Sequence, residues 1–334
     1  MAQRYNKKIN IYCISFTFFD EICEQMKTLS IIVPCYNEEL VIEMCYQRIK
    51  AVLDTLPDVV AQILFVNDGS KDRTAELLDT LAASDAQIKV IHFSRNFGHQ
   101  AAVTAGIHHC TTDFAIIMDA DLQDPPELIP ELLKKQEAEH ANVVYCVHQT
   151  RFGESIFKKW SAKEFYRTFN KLSEIKFPLD AGDFRLIDRR IMEEFSRFKE
   201  RGKYVRGLIS WVGFKQVPFF YEREARQGGK TKYPFKKMMS FASLALLYFS
   251  KKPLQISIML GFLAVLIGLC MAVWYICGKI FGYTDAYSGW TSIMIAIIFF
   301  GGVQLLTIGV LGQYVGILFD EVKERPEYIV DKIV

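Results

Sequence analysis

Between residues 29 and 150 the chain alternates two hydrophobic rhythms. Short runs rich in β-branched residues are LSIIVP (29–34), AQILFVND (61–68), IKVIHF (88–93), FAIIMDAD (114–121) and VVYCVH (143–148). Stretches with helical spacing lie between them, near 38–53, 72–84, 98–110 and 126–139. Strands alternating with helices predict an α/β fold, a mostly parallel sheet with helices on both faces. Such sheets bind ligands at the carboxyl ends of their strands. The polar residues of interest gather there, at 34–38, 67–70, 94–96 and 119–124.

The rhythm changes after residue 250. No charged side chain occurs from 253 to 278, and a second uncharged run extends from 286 to 319. Each is long enough to cross a bilayer as a helix. Lys230, Lys232, Lys236, Lys237, Lys251 and Lys252 precede the first run, and Lys323, Arg325 and Lys332 follow the second. The loop between them, GKIFGYTDAYSGW, holds only Lys279. Excess Lys and Arg mark the cytoplasmic side, so both termini are expected there, with a short loop outside. Trp274, Tyr275, Tyr283, Tyr287 and Trp290 cluster at the outer ends, as interfacial aromatics do. Gly301, Gly302, Gly309, Gly312 and Gly316 in the second span predict close helix packing and a homo-oligomer. The apolar stretch before the first span is too short to cross and has basic ends, so it reads as an interfacial helix on the inner leaflet. The expected organisation is an N-terminal extension (1–27), a cytoplasmic catalytic domain (28–230), a juxtamembrane interfacial region (231–252), two spans (253–319) and a cytoplasmic tail (320–334).

Composition narrows the classes. The 334 residues are 51% hydrophobic and 23% charged, which excludes a disordered chain. A net charge of +2 offers no argument for nucleic acid. The eight cysteines show neither a CxxC pair nor zinc spacing and read as reduced thiols. There is no GxGxxG after the first strand and no GxxxxGK[ST], so a dinucleotide-dependent dehydrogenase and a P-loop ATPase both lack their fingerprint.

Carboxylates stand at the strand ends instead. Asp119 and Asp121 alternate by two, so an extended strand end would put them on one face. Two adjacent carboxylates repel unless a cation lies between them, and oxygen ligands suit Mg²⁺ or Mn²⁺. Gln123 can add a neutral oxygen. Asp124 reads better as the cap of a helix starting at Pro125 or Pro126. Asp68, in FVNDGSKDRT, either accepts from a base or ribose hydroxyl or closes a plain Asx turn, with Asp72 capping the next helix. Pro34, Tyr36 and Glu38 end the first strand, where Tyr36 can stack on a base. His99, His108 and His109 read as core or surface histidines, since adjacent helical residues point apart. Arg151, Arg185, Lys203, Arg206, Arg223, Arg226, Lys230 and Lys232 form a cationic set ahead of the interfacial stretch, fit for an anion at a membrane surface.

Taken in order, SIIVPCYNEE (30–39), FVNDGSKDRT (65–74), RNFGHQAAVTAG (95–106) and DADLQDPPE (119–127) resemble glycosyltransferase family 2. DAGDFRLIDR (180–189), RGKYVRGLISWVGF (201–214) and ARQGGKTKYPFKK (225–237) narrow the resemblance to bacterial polyprenyl-phosphate glycosyltransferases, relatives of dolichyl-phosphate mannose synthase. Two C-terminal spans fit the undecaprenyl-phosphate glucosyltransferase branch. No QxxRW string is present, which argues against a processive synthase.

The resemblance implies a GT-A Rossmann-like fold and an inverting, metal-dependent hexosyltransferase of a bacterial plasma membrane. Its donor would be a UDP-sugar, with glucose ahead of N-acetylglucosamine, galactose and aminoarabinose, and its acceptor undecaprenyl phosphate. Pro34, Tyr36, Glu38, Asp68 and Asp119 would hold the nucleotide sugar. Asp119, Asp121 and Gln123 would hold Mg²⁺ or Mn²⁺. Asp183, with Asp121 and Arg185, would serve catalysis as base or orienter. Arg151, Lys203, Arg206, Arg226 and Lys232 would bind the lipid phosphate. A different acceptor within the family, or a non-catalytic membrane scaffold, are the competing expectations.

Overall fold

A computed structural model describes residues 26–148, 181–200, 203–222, 251–281 and 289–334. The expected extension up to residue 25 and the interfacial stretch 231–250 lie outside the described residues. The chain forms two compact units, and Pro326–Val334 returns to the first after the long apolar helices of the second.

The first unit is built on an eight-stranded sheet. Its strands are β1 (Lys27–Cys35), β2 (Val59–Asn67), β3 (Ile88–Phe93), β4 (Phe114–Ile117), β5 (Val143–His148), β6 (Ala181–Asp188), β7 (Gln216–Tyr221) and β8 (Val330–Ile333). They lie in the order β7-β5-β6-β4-β1-β2-β3-β8. The central β4-β1-β2-β3 block is parallel. β6 runs antiparallel between β4 and β5, and β8 runs antiparallel along β3. The helices are α1 (Ile42–Leu53), α2 (Thr74–Ser84), α3 (His99–His108), α4 (Ile129–Glu139), α5 (Arg189–Ser196) and α6 (Val205–Trp211). Central parallel strands are covered on both faces, so they read as continuous apolar runs. Accordingly β1 is buried from Leu29 to Cys35 and β2 from Ile63 to Asn67.

Three departures from the sequence reading shape the site. The β4 ladder ends at Ile117, paired with Ile32, so Asp119 and Asp121 do not share a face of an extended strand. They occupy a turn that Leu122 closes at φ 56°. The antiparallel β6 enters the middle of the sheet, where hydrophobic periodicity up to residue 150 gives no sign of it. The tail supplies an edge strand, with Val90 and Val334 exchanging main-chain hydrogen bonds of 2.8 and 2.9 Å.

The second unit contains α7 (Lys252–Ile280) and α8 (Gly289–Val322). Pro253 falls in the first turn, where its missing N–H costs nothing. The windows Lys252–Gly278 and Ile295–Val322 have mean hydropathies of 2.7 and 2.2 and are long and apolar enough to cross a membrane. None of the second window is buried within the chain, whereas a soluble core would bury such a helix. α7 and α8 come close at Gly268, where a Cβ would lie 3.1 Å from Phe300 Cζ, whereas a Cβ at Gly301, Gly302, Gly309, Gly312 or Gly316 meets nothing within 4 Å among the described residues. The six described cysteines are free thiols.

Close approach of α3 to the sheet rests on small residues. A Cβ at Gly106 would stand 2.2 Å from Cγ2 of fully buried Ile32 on β1. Alanine gains about 1 kcal/mol of helix propensity over glycine, but overpacking a core costs about 1–3 kcal/mol. Gly106→Ala is therefore expected to lower the melting temperature of the purified protein. An unchanged or raised value would show that α3 can move off β1 freely.

Candidate active site

The loops at the carboxyl ends of β1 and β2 are stitched together. Asn37, in the left-handed region at φ 54°, accepts from Lys71 N at 2.8 Å through its side-chain oxygen and donates its own N–H to Ser70 Oγ at 3.0 Å. Glu38 N donates to Thr74 Oγ1, and Asp72 accepts from both Thr74 N and Glu39 N. Asp72 thus ties this loop to the start of α2, although the cap position itself is Arg73, which makes no side-chain cap. Pro34 is buried within β1, and Tyr36 and Glu38 stand half-buried on the loop beyond it.

Asp68 closes β2 and is 2% exposed. Its carboxylate takes hydrogen bonds from Asn96 Nδ2 (2.8 Å), Phe97 N (2.6 Å) and Gly98 N (3.0 Å). Burial pushes its carboxyl up, and those N–H donors work against that rise. The clamped turn runs straight into α3, whose first residue is His99. Two glycines permit it. Gly98 has φ 105°, and a Cβ on Gly69 would lie 2.3 Å from the Arg95 carbonyl carbon. In this structure Asp68 holds the 95–98 turn, a role beyond the Asx turn and the nucleotide contact weighed from sequence.

In the acidic turn Gln123 N donates to Asp121 Oδ1 at 3.2 Å. Asp121 is 9% and Asp124 1% exposed. The reading of Asp124 as a helix cap is corrected. The cap position is Pro125 and makes no side-chain cap, while Asp124 accepts a hydrogen bond from the Tyr221 hydroxyl on β7. Asp119 is pushed up to about 6 by loss of water around it and by the carboxylates of Asp183, Asp124 and Asp121, with His99 acting the other way.

Asp183 sits on a bulge. Tyr145 pairs with Arg185 but Val147 pairs with Ala181, so β6 carries extra residues across 182–184. Bulges re-aim side chains next to active sites. Arg185, 4% exposed, closes this one by donating to Gly182 O at 2.8 Å and Asp183 O at 3.4 Å. Burial lowers its guanidinium to about 10. The Asp183 carboxylate receives both arms of Arg206 from α6, Nε to Oδ1 at 2.5 Å and Nη2 to Oδ2 at 2.6 Å. His99 Nε2 lies 3.3 Å from Asp183 Oδ2 and 3.7 Å from Asp119 Oδ1. Burial opposes charge on Asp183, yet Arg206 and His99 hold its carboxyl well below the usual carboxylate range. Burial opposes charge on His99 too, but the Asp183 hydrogen bond and the Asp119 charge lift it to about 9. Arg206 is raised by Asp183 in the same way.

The structure sets His99, which reads from sequence as a core or surface histidine, beside Asp119 and Asp183. His99, Asp119 and Asp183 each offer one atom within 4.8 Å of the other two. The signal was position: His99 follows the third strand end, where ligand-binding residues collect. Lys203 is buried beside Glu327 at 3.4 Å. Arg151, Arg223, Arg226, Lys230 and Lys232 lie outside the described residues.

Acids at strand ends where a dehydrogenase would carry glycines, on a mostly parallel sheet interrupted by β6, fit the class of transferases that handle an activated sugar. Within that class the chain belongs to glycosyl transferase family 2, whose family model matches residues 30–196. It is 46% identical to the glycosyltransferase YkcC of Bacillus subtilis, over 91% of this chain and 93% of that one. It is 37% identical to the bactoprenol glucosyl transferase of Shigella phage SfII (91% and 97%). It is 36% identical to a prophage bactoprenol glucosyl transferase homolog of Escherichia coli (91% and 99%). Among solved structures, a Pyrobaculum calidifontis mannosyltransferase in complex with GDP-Man and Mn²⁺ is similar at TM-score 0.43 and 17% identity, over 86% of each chain.

Replacing Asp68 by asparagine turns one acceptor oxygen into a donor facing N–H groups. Hydrogen bonds to charged groups contribute about 1.5–3 kcal/mol each. Asp68→Asn is expected to lower the melting temperature and the transfer rate together. Retained stability with weaker UDP binding would instead assign Asp68 to the nucleotide alone.

Proposed function

We propose that the protein moves one glucose from UDP-glucose to undecaprenyl phosphate at the cytoplasmic face of a bacterial plasma membrane, with inversion at the anomeric carbon. Relatives named bactoprenol glucosyl transferase, matched over nearly their whole length, support the sugar and the acceptor class. The observation that carries the reading is the pairing of Asp183 with Arg206 beside Asp119. It puts an anion-binding arginine next to the acids expected to face a sugar diphosphate.

Asp119, Asp121 and Gln123 offer the oxygen donors that suit Mg²⁺ or Mn²⁺, and a cation would offset both the burial and the neighbouring carboxylates that push Asp119 up to about 6. These residues would hold the metal, which would supply positive charge against the departing diphosphate. Pro34, Tyr36, Glu38 and Asp68 line the nucleotide side. On the acceptor side, a phosphate monoester has a second pKa of about 6 and is largely dianionic at pH 7. Such a nucleophile needs no base, and a carboxyl as depressed as Asp183 is a poor proton acceptor. Asp183 therefore orients Arg206 and His99, and the Arg206 guanidinium, held by Asp183 through Nε and Nη2, sets its positive charge toward the acceptor phosphate. Arg185 holds the bulge that aims Asp183. Arg151, Arg226 and Lys232 extend the cationic approach.

The chain connectivity supports the topology. The sheet contains residues on both sides of α7 and α8, so the chain returns to the side it left, and two spans achieve that. The basic flanks favour the cytoplasm for that side. The glycines of α8 suit close helix packing, which supports a homo-oligomer.

Purified protein given undecaprenyl phosphate, Mn²⁺ or Mg²⁺ and UDP-glucose is expected to add the mass of one hexose residue to the lipid, read by mass spectrometry. Chelation by EDTA should abolish the product, and Asp121→Ala should lower it about 10²-fold or more. Metal-dependent UDP-glucose binding without a lipid product would overturn the acceptor. Absence of binding as well would favour the scaffold.

A further inference from the structure

The tail beyond the second apolar helix does more than close an edge of the sheet. Glu327 touches two elements at once. Its Oε1 takes a hydrogen bond from Thr104 Oγ1 on α3 at 3.5 Å, and its Oε2 lies 3.4 Å from Lys203 Nζ in the lead-in to α6. Lys203 is buried, and its ammonium also lies 5.4 Å from the centroid of the Phe195 ring. The next residue anchors the same corner. Tyr328 stacks on Phe93 at 5.0 Å, and its hydroxyl lies 3.2 Å from His108 Nδ1 at the far end of α3. Main-chain bonds from Ser94 N to Ile329 O and between Val90 and Val334 fix the strand, and Lys332 pairs with Asp79 at 2.5 Å. A direct tie joins the two helices as well, from Val205 N to Gln100 Oε1 at 2.9 Å.

α3 and α6 are the helices that deliver His99 and Arg206 to Asp183. Arg206 stands in the first turn of α6, shortly after Lys203. We infer that Glu327 is a positioning residue for sugar transfer: by holding Thr104 and Lys203 it pins α3 to α6, and so sets the reach of both cations to Asp183. Lys203 is then the buried half of a clasp and not a ligand of the acceptor phosphate. The segment directly following the membrane-type helix becomes part of the catalytic apparatus. The acceptor-side consequence rests on the role proposed above for Arg206.

The test uses the full-length protein in detergent, with Glu327→Gln and the paired variant Lys203→Met/Glu327→Met. Removing one partner of a buried ion pair leaves an uncompensated charge, whereas an apolar pair of similar volume is often neutral or stabilising. Glu327→Gln is expected to speed amide hydrogen exchange across 205–211 and to raise the KM for undecaprenyl phosphate about tenfold, with the KM for UDP-glucose changed less than about twofold. The paired variant should restore both readouts to near wild type. If Lys203 binds the acceptor phosphate itself, the paired variant keeps the raised KM, which overturns the inference. Unchanged exchange across 205–211 in Glu327→Gln overturns it too, as does an equal loss for donor and acceptor. Should Glu327→Gln not fold, a paired variant with near-wild-type KM values supports the clasp and one with a raised acceptor KM refutes it. If the wild type makes no lipid product, the proposed function falls, and the exchange comparison still decides the clasp.

Discussion

A carboxylate that stays charged where little water reaches it needs cations beside it, and Asp183 is such a group. Side-chain exposure there is only 10%, and an ion of that kind without partners would take up a proton. Arg206 and His99 prevent it, through a two-armed guanidinium and an imidazole drawn toward the charged state. The cations in turn have to come from helices, because side chains on loops would be held too loosely to keep a bidentate geometry. Much of the domain can be read as the means of placing those helices. Asp68 clamps the turn that starts α3, and the bulge closed by Arg185 turns Asp183 toward α3 and α6.

The same constraint explains why the sheet is mixed. A wholly parallel sheet would bring every strand end to one edge but would offer no strand running back past it. β6, antiparallel between β4 and β5, carries Asp183 to the side where the parallel strands leave Asp68 and Asp119. The short β4 has a related consequence. Because its pairing stops at Ile117, the acidic string is free to turn at Leu122 and gather its carboxylates instead of presenting them along a strand. Asp119 is pushed up to about 6 in that crowd. Burial is the largest cause of that rise, and the neighbouring carboxylates add to it.

Local signals in the chain exposed some of this and hid the rest. The central strands and the helices between them were legible because parallel strands buried on both faces produce long apolar runs, and α1 to α4 follow near their expected places. The acidic string was legible because carboxylates at a strand end are conspicuous. β6 was not, since AGDFRLID mixes charge and apolar residues around a bulge and has no clean period of two. β8 was hidden for another reason: VDKI beyond a membrane-type helix looks like a solvated tail, and only the vacant edge of β3 makes it a strand. His99 was grouped with His108 and His109 as a core or surface histidine. Its significance depends on Asp183, which lies 84 residues away in the chain. Such pairings are made by topology, and local pattern does not carry them.

The central claim is that Asp183 works through Arg206 and not as an independent proton acceptor. A double-mutant cycle on kcat/KM for the lipid acceptor, with Asp183→Asn, Arg206→Gln and the pair, tests it most directly. Residues that act as one unit are strongly non-additive. The account predicts that the double variant loses no more than the worse single, with a coupling of roughly 1–3 kcal/mol. Losses that simply multiply would contradict it, and would assign Asp183 a chemical step of its own.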